Sequence, residues 1–247
     1  MRAAVRAAPG RPAFYAIGRG VAGDLVALLH PPYTAWHLSY FALGAAVAPH
    51  VHLDRLLWGL AAFALAVGVA AHALDELHDR PLRTTLSDRT LITLAAVAGA
   101  GALAIGVAGM LTVTLALTPL VVVGGLFLPA YNLELVGGRF HSDVWFAVGW
   151  GAFPAFTGYF VNAEKVALPG LLIAAGCLAM SVAQRRLSSP ARELRRRTSS
   201  ISGVRTLRDG GAEELSLPSL LAPLDGALAA LSVAVVVVAC ALVAARL

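Results

Sequence analysis

Three carboxylates cluster in the segment HALDELHDRP, although the 247-residue chain contains only 14 aspartates and glutamates. At about 100° per residue, Asp75, Glu76 and Asp79 fall on one face of a helix. His72 shares that face, whereas His78 points away from it. Carboxylates so close together repel one another, and they therefore take up protons or bind a cation. Their oxygens suit Mg²⁺, so the segment predicts a Mg²⁺ site formed by these three acids; the alternative is an acidic loop exposed to water.

Two histidines give a second interpretation of this region. His72, Glu76 and His141 carry the nitrogen and oxygen ligands that transition metals bind. The sequence contains no HExxH motif and no repeated histidine spacing in support of that alternative. Mg²⁺ is therefore the leading prediction for the metal.

A second polar segment begins at Tyr131, after a long apolar run. It brings donors, acceptors and a cation into a short stretch: Tyr131, Asn132, Glu134, Arg139, His141 and Asp143. The pair Gly137 and Gly138 permits a turn within it. Tyr131 is a candidate catalytic residue, with membrane-interface anchoring as the alternative. Aromatic side chains follow: Trp145, Trp150, Phe153, Phe156 and Tyr159. They predict either the walls of a site for the apolar chain of a ligand or a packed helix face.

The third polar segment, QRRLSSPARELRRR, is strongly cationic. Guanidinium groups match phosphate oxygens, and Arg185 and Arg186 lie nearest to the preceding apolar run. Ser189 followed by Pro190 predicts a helix start, whose free N–H groups favour an anion. The alternative is a basic loop that serves only to orient the chain in a membrane.

Long apolar runs must position these three segments. The chain is 58% hydrophobic and 13% charged, whereas soluble domains carry roughly 25% charged residues. The composition excludes a soluble domain, and the length of the runs favours helices over a barrel. Runs of about 20 residues, enough to cross a bilayer, predict seven spans: 33–50, 56–74, 90–108, 110–130, 144–162, 166–184 and 224–245. The predicted fold is an all-α, polytopic membrane helical bundle.

The basic residues predict how the bundle is oriented. With seven spans and the N-terminus inside, 16 of the 19 basic residues lie on the inner side, and the outer side keeps Arg55, Lys165 and Arg246. The three polar segments are then cytoplasmic. The net charge of +5 indicates orientation and contact with membrane lipids, not binding of nucleic acid. The composition favours a bacterial plasma membrane.

The apolar runs also divide the chain into four parts. Residues 1–32 form a cytoplasmic N-terminal segment, with an interfacial amphipathic helix over 13–29. Residues 33–184 form a six-helix membrane core, and residues 185–222 an Arg-rich cytoplasmic loop, which is a short helix followed by flexible chain. Residues 223–247 form the last transmembrane helix.

The predicted topology brings acids, a tyrosine-bearing loop and arginines to one side of the membrane. Such a group fits a lipid diphosphate, because a divalent cation neutralises the diphosphate and arginines stabilise the charge that leaves. The apolar tail of the lipid would lie between the helices. The corresponding chemistry is ionisation at an allylic carbon, followed by capture by an acceptor.

Residues 28–200 resemble the UbiA superfamily of intramembrane prenyltransferases. LLHPPYTAWHLSYFALGAAVAP is similar to the first helix of the family, AHALDELHDRPLRTTLSDRTL to its first Asp-rich motif, and AYNLELVGGR to its tyrosine-bearing loop. The resemblance implies transfer of an isoprenyl group from a prenyl diphosphate to a lipid-soluble or aromatic acceptor, with Mg²⁺ as cofactor. It implies that Asp75, Asp79 and Tyr131 are catalytic. It also implies diphosphate contacts for five arginines: Arg80, Arg83, Arg139, Arg185 and Arg186.

The chain departs from the family pattern at two motifs. Ala71 and His72 stand where Asn and Asp begin the first Asp-rich motif, and only Glu193 lies where a second motif is expected. A protein of the same fold that binds an isoprenoid or a partner without turnover is therefore the second hypothesis. A small transporter is the third, and it would place ionisable residues near mid-span, whereas here they cluster at the span ends.

Overall fold

The structure of the chain, a computed structural model, describes residues 20–247. It is mostly helical (76%), in agreement with the predicted all-α membrane bundle. The helices are α1 (Gly20–Leu28), α2 (Pro31–Ala46), α3 (Leu53–Asp79), α4 (Asp88–Thr112), α5 (Leu115–Asn132), α6 (Asp143–Ala163), α7 (Leu168–Arg197) and α8 (Leu217–Ala244). An antiparallel hairpin of β1 (Gly203–Thr206) and β2 (Ala212–Leu215) connects α7 to α8. The start of the predicted interfacial helix over 13–29 lies outside the described residues, and α1 is its described part.

Six helices, α3 to α8, are long and apolar enough to cross a membrane. They correspond to six of the seven predicted spans. The remaining one, 33–50, corresponds to α2, whose 16 residues extend about 24 Å at 1.5 Å per residue, against about 30 Å of hydrocarbon. Trp36, Tyr40 and Phe41 are at most 1% exposed, so α2 is a short inner helix of the bundle.

Glycines allow α2 to pack tightly against α6. A Cβ atom on Gly44 would collide with the carbonyl oxygen of Ala155, and one on Gly158 would collide with the carbonyl oxygen of Phe41. Small residues permit such close backbone approach between membrane helices. The two glycines therefore hold α2 and α6 at a distance that a larger side chain does not permit.

The turn between the third and fourth predicted spans lies elsewhere than expected. The sequence predicts the break at Gly106–Met110, but α4 continues to Thr112 and the chain turns at Val113 and Thr114. The Thr114 hydroxyl accepts a hydrogen bond from the backbone N–H of Ala116 at 3.3 Å and so begins α5. Thr114 supplies this cap, whereas the earlier glycines face neighbouring helices.

The Arg-rich segment is more ordered than predicted. α7 is continuous to Arg197, with Pro190 inside it. No helix therefore starts at Ser189, and the anion site predicted at that start is wrong. The hairpin replaces most of the predicted flexible chain, and α8 begins at Leu217, where the N-cap Ser216 forms a capping box with Ser219. Helix α7 thus continues past the predicted boundary at 185, and α8 begins before the one at 222.

Ion pairs bring the ends of α3, α5 and α7 together with the starts of α4, α6 and α8, and we call this the polar end of the bundle. Arg80 pairs with Asp88, and Arg195 with Asp225. At the opposite end, Arg55 pairs with Glu164 at 2.7 Å. The three polar segments of the sequence thus meet at one end, as predicted.

Candidate functional site

Two π-helical segments place histidines beneath the polar end. They cover Ala64–Ala71 in α3 and Ala147–Ala152 in α6. Nδ1 of His72 donates to the carbonyl oxygen of Gly68 at 3.2 Å, and Nδ1 of His37 donates to that of Trp150 at 2.7 Å. A carbonyl oxygen only accepts, so Nδ1 carries the proton, and in the neutral ring Nε2 is the acceptor. Irregular helical turns of this kind are frequent at functional sites.

His30 joins α1 to α2 in a left-handed backbone conformation, with φ of 44°. Its ring stacks on His72 at 4.1 Å between centroids. Burial holds the pKa of His30 well below its usual value of 6.5, and the neighbouring His72, Arg196 and Arg192 act in the same direction. His30 is therefore neutral near pH 7 and adds no positive charge to the site.

Tyr131 forms a wall at the polar end. It is 5% exposed, and its ring stacks on His141 at 4.7 Å and meets Trp150 edge-on at 5.5 Å. Nδ1 of His141 donates to the carbonyl oxygen of Tyr131 at 3.1 Å. The predicted turn is confirmed, because Gly137 and Gly138 have φ of 66° and 74° and return the chain to His141.

Asp75 faces the cationic helix α7. It is half-buried, and the groups that act on it electrostatically are His141, Arg192, Arg196 and Glu76. Asp75 therefore lies within electrostatic range of two arginines of this helix, Arg192 and Arg196. We call the group of Asp75, Tyr131, His141 and Arg192 the mouth.

Glu76 has a structural role. It is fully buried, and its carboxylate accepts from the backbone N–H of Leu82 at 2.9 Å, from that of Thr84 at 2.8 Å and from the Thr84 hydroxyl at 2.9 Å. These bonds fix the turn that leads from α3 to α4. A hydrated Mg²⁺ ion cannot reach this carboxylate, so the prediction of Glu76 as a metal ligand is corrected.

Asp79 lies in a third environment. The Asp79 carboxylate lies near His78 and Glu134. One ligand atom of each of the three residues lies within 4.8 Å of the others. The prediction that His78 points away from the acids is therefore wrong for Asp79. Among residues 20–247 this is the one such group of three, so Asp75, Glu76 and Asp79 do not converge on a single ion. The Mg²⁺ site predicted from the sequence does not fit the described side chains.

The five predicted diphosphate-binding arginines differ in their surroundings. Arg80 bonds to Asp88 and to the carbonyl oxygen of Leu86, which commits it to the turn after α3. Arg185 donates from Nε to Asp143 at 2.7 Å and lies over the Phe146 ring at 4.9 Å. The other three are exposed, and their side chains have no hydrogen bond or ion pair to a described residue: Arg83, Arg139 and Arg186.

Sequence analysis missed Arg192. This half-buried side chain donates to the Ser189 hydroxyl at 3.3 Å and has no ion pair to a described carboxylate. It lies in electrostatic contact with Tyr131 and Arg185. The seven-residue spacing from Arg185 was the available signal, since it places both side chains on one face of a continuous helix. The predicted break at Ser189 obscured that relation.

An apolar cavity of about 890 Å³ lies between α3, α4, α5 and α6. It begins at Leu74 and Pro129 near the polar end and reaches Asp54 near the opposite end. Phe127 and Trp150 line it and also contact the Tyr131 ring, at 5.6 and 5.5 Å. The cavity and the mouth therefore share one wall. Trp150 and Phe153, two of the aromatic residues predicted to form walls, line it.

The volume and lining of this cavity suit an apolar ligand. Pockets that hold drug-sized ligands measure about 300–1,000 Å³ and are mostly apolar, with a few polar groups that orient the ligand. Here the polar groups lie at one end, in the mouth. The arrangement is that of a site for an amphiphile, with its head at the mouth and its tail between the helices.

Comparison of the chain with protein-family models, with curated proteins and with solved structures gave no match. The resemblance to the UbiA superfamily therefore stays a prediction from the sequence.

Proposed function

We propose that this protein is a membrane-embedded prenyltransferase, which moves an isoprenyl group from a prenyl diphosphate to a lipid-soluble or aromatic acceptor. The observation that carries the proposal is the contact of Tyr131, in the mouth, with Trp150, in the lining of the apolar cavity. An anionic head with an apolar tail matches both parts. The excess of basic residues at the polar end supports a cytoplasmic mouth in a bacterial plasma membrane.

The side chains of the mouth support ionisation of a diphosphate ester. The bond between the allylic carbon and the diphosphate oxygen breaks, and the electron pair leaves with the diphosphate. Arg192 and Arg196 supply positive charge where this negative charge develops. The acceptor then forms a bond to the allylic carbon and loses a proton.

Aromatic rings of the cavity support the cationic fragment. Phe127 and Trp150 have ring centroids 5.6 Å apart, and Phe63 and Phe153 lie 6.1 Å apart further into the cavity. Faces of aromatic rings attract cations by roughly 0.5–2 kcal/mol each. The rings also exclude water, which would otherwise capture the allylic cation.

No step is assigned to Mg²⁺, because the three carboxylates of the predicted site have different partners. Glu76 is enclosed by its own hydrogen bonds and Asp79 groups with His78 and Glu134. This separation favours a second candidate function, in which the protein binds a prenyl diphosphate or another isoprenoid without turnover.

The two candidates are separated by measuring binding and turnover of the purified protein. Prenyl diphosphate binding to detergent-solubilised wild type is compared with Arg192→Gln and with Arg197→Gln, an exposed arginine at the end of the same helix. We expect the first variant to weaken binding at least tenfold and the control to retain it, because only Arg192 lies at the mouth. Arg192→Lys, which keeps the charge, guards against a folding defect of the glutamine variant.

A second measurement, product formation from a labelled prenyl diphosphate and a set of aromatic acceptors, distinguishes the transferase from the non-catalytic candidate. Binding with turnover supports the transferase, with Mg²⁺ present or absent as a further variable. Binding without turnover over the acceptor set supports the non-catalytic candidate. Absence of any binding by wild type overturns both.

A further inference from the structure

We propose that His78, Asp79 and Glu134 form a binding site for a divalent transition-metal ion at the rim of the mouth. Their ligand atoms lie within 4.8 Å of one another, and Nε2 of His78 is 4.0 Å from Oε1 of Glu134. The residues come from two elements, the last turn of α3 and the loop after α5. The site is separate from the enclosed Glu76 and does not rest on prenyl transfer.

Among the described residues, the two carboxylates of this group lack the arginine partner that five of the fourteen carboxylates of the chain have. Five carboxylates of the described chain pair with an arginine: Asp88, Asp143, Glu164, Asp225 and Glu213. Asp79 and Glu134 lie side by side without an arginine or lysine ion pair to a described residue, and the ion-pair neighbours of Glu134 are the histidines His78 and His141. Two adjacent carboxylates repel each other, and a divalent cation between them removes that repulsion.

The donor set selects the class of metal. Imidazole nitrogen combined with carboxylate oxygen suits Zn²⁺, Mn²⁺ and Fe²⁺, whereas Mg²⁺ and Ca²⁺ prefer oxygen alone. Bonds of about 2.1 Å place tetrahedral ligand atoms roughly 3.4 Å apart. The three side chains therefore need to approach by about 1 Å, which rotation of exposed side chains permits. His78 and Asp79 are exposed and Glu134 is half-buried.

His141 lies beside the carboxylate of Glu134. Its Nδ1 donates to the carbonyl oxygen of Tyr131 and lies 3.8 Å from Oε1 of Glu134. Because this nitrogen carries a proton, it is not the metal ligand. The site therefore lies next to the wall of the mouth that Tyr131 forms.

The test is metal binding by the full-length protein without a polyhistidine tag. Competition with a chromophoric chelator measures the affinity for Zn²⁺ and for Mn²⁺, and calorimetry measures it for Mg²⁺. We expect one Zn²⁺ per chain, bound at least tenfold more tightly than Mg²⁺. Glu134→Gln and Asp79→Asn should each weaken Zn²⁺ binding at least tenfold, whereas His50→Gln, at the opposite end, should not change it.

A second measurement identifies the nitrogen ligand. Co²⁺ substituted for Zn²⁺ should show visible absorption bands that shift in His78→Gln and stay unchanged in His50→Gln. Equal Zn²⁺ affinity in wild type and all variants, or tighter binding of Mg²⁺ than of Zn²⁺, overturns the proposal. The substituted side chains lie at the rim, so the metal-free variants should unfold at the same temperature as wild type, and this is the control for folding. If Glu134→Gln misfolds, Asp79→Asn takes its place.

Discussion

Asp75, Glu76 and Asp79 share two helical turns but have three different sets of neighbours. Asp75 lies within electrostatic range of Arg192 and Arg196. Glu76 accepts hydrogen bonds from Leu82 and Thr84. Asp79 lies near His78 and Glu134. At the residue scale, the identity of a side chain thus leaves its role open. Metal binding, charge pairing and backbone support all use the same carboxylate chemistry.

Glu76→Ala is expected to lower the stability of the fold. The substitution removes the acceptor of two backbone N–H groups and one hydroxyl in a buried turn, and each unsatisfied group costs about 1–3 kcal/mol. Thermal unfolding in detergent should show a decrease of several degrees in Tm. Glu193→Ala, an exposed position on α7, is the matched control and should leave Tm nearly unchanged. An unchanged Tm for Glu76→Ala would return Glu76 to the list of metal-ligand candidates.

At the element scale, close helix contacts decide where the site residues lie. α2 and α6 approach each other at Gly44 and Gly158, and this contact holds His37 against the π-helical segment of α6. Trp150 belongs to that segment and lines the cavity. A change in the α2–α6 distance is therefore transmitted to the wall that the mouth and the cavity share.

Gly158→Ala should destabilise the bundle by about 1–3 kcal/mol or more, because the added methyl group collides with the carbonyl of Phe41 and interiors tolerate overpacking poorly. Gly176→Ala is the control, since a Cβ there has no neighbour within 4 Å. Thermal unfolding of both variants in the same detergent measures the difference. Equal Tm values would mean that α2 and α6 are further apart than described.

At the scale of the whole molecule, the cavity connects the polar end to the opposite end. Its lining runs from Leu74 to Asp54 along α3, about 20 residues and therefore roughly 30 Å of helix. That distance is close to the thickness of the bilayer hydrocarbon. A ligand whose head lies at the mouth can therefore extend its tail along this cavity between the helices.

Ala96→Trp should weaken binding of a prenyl diphosphate at least tenfold without change at the mouth, because the indole fills part of the cavity. Val97→Trp is the control: the neighbouring side chain is 68% exposed and does not line the cavity. Binding of the same prenyl diphosphate to both variants is the measurement. If the two variants bind equally well, the tail lies outside this cavity.

The spans could be predicted from the sequence because their cause is local. Each backbone group in a bilayer must be satisfied within its own segment, so a run of apolar residues such as 90–108 is enough to indicate a helix. The meeting of three polar segments at one end follows from the alternation of these spans. Both conclusions need only the order of residues along the chain.

The ligand sets could not be predicted, because they depend on which elements approach each side chain. Glu76 is enclosed only because the chain after α3 folds back to present Leu82 and Thr84. Arg192 reaches the mouth only because α7 stays helical through Pro190. The sequence by itself determined the membrane helices and the end at which the polar groups lie. Tertiary packing alone decided which carboxylates share a site, because hydrogen bonds and ion pairs between distant segments have no local pattern.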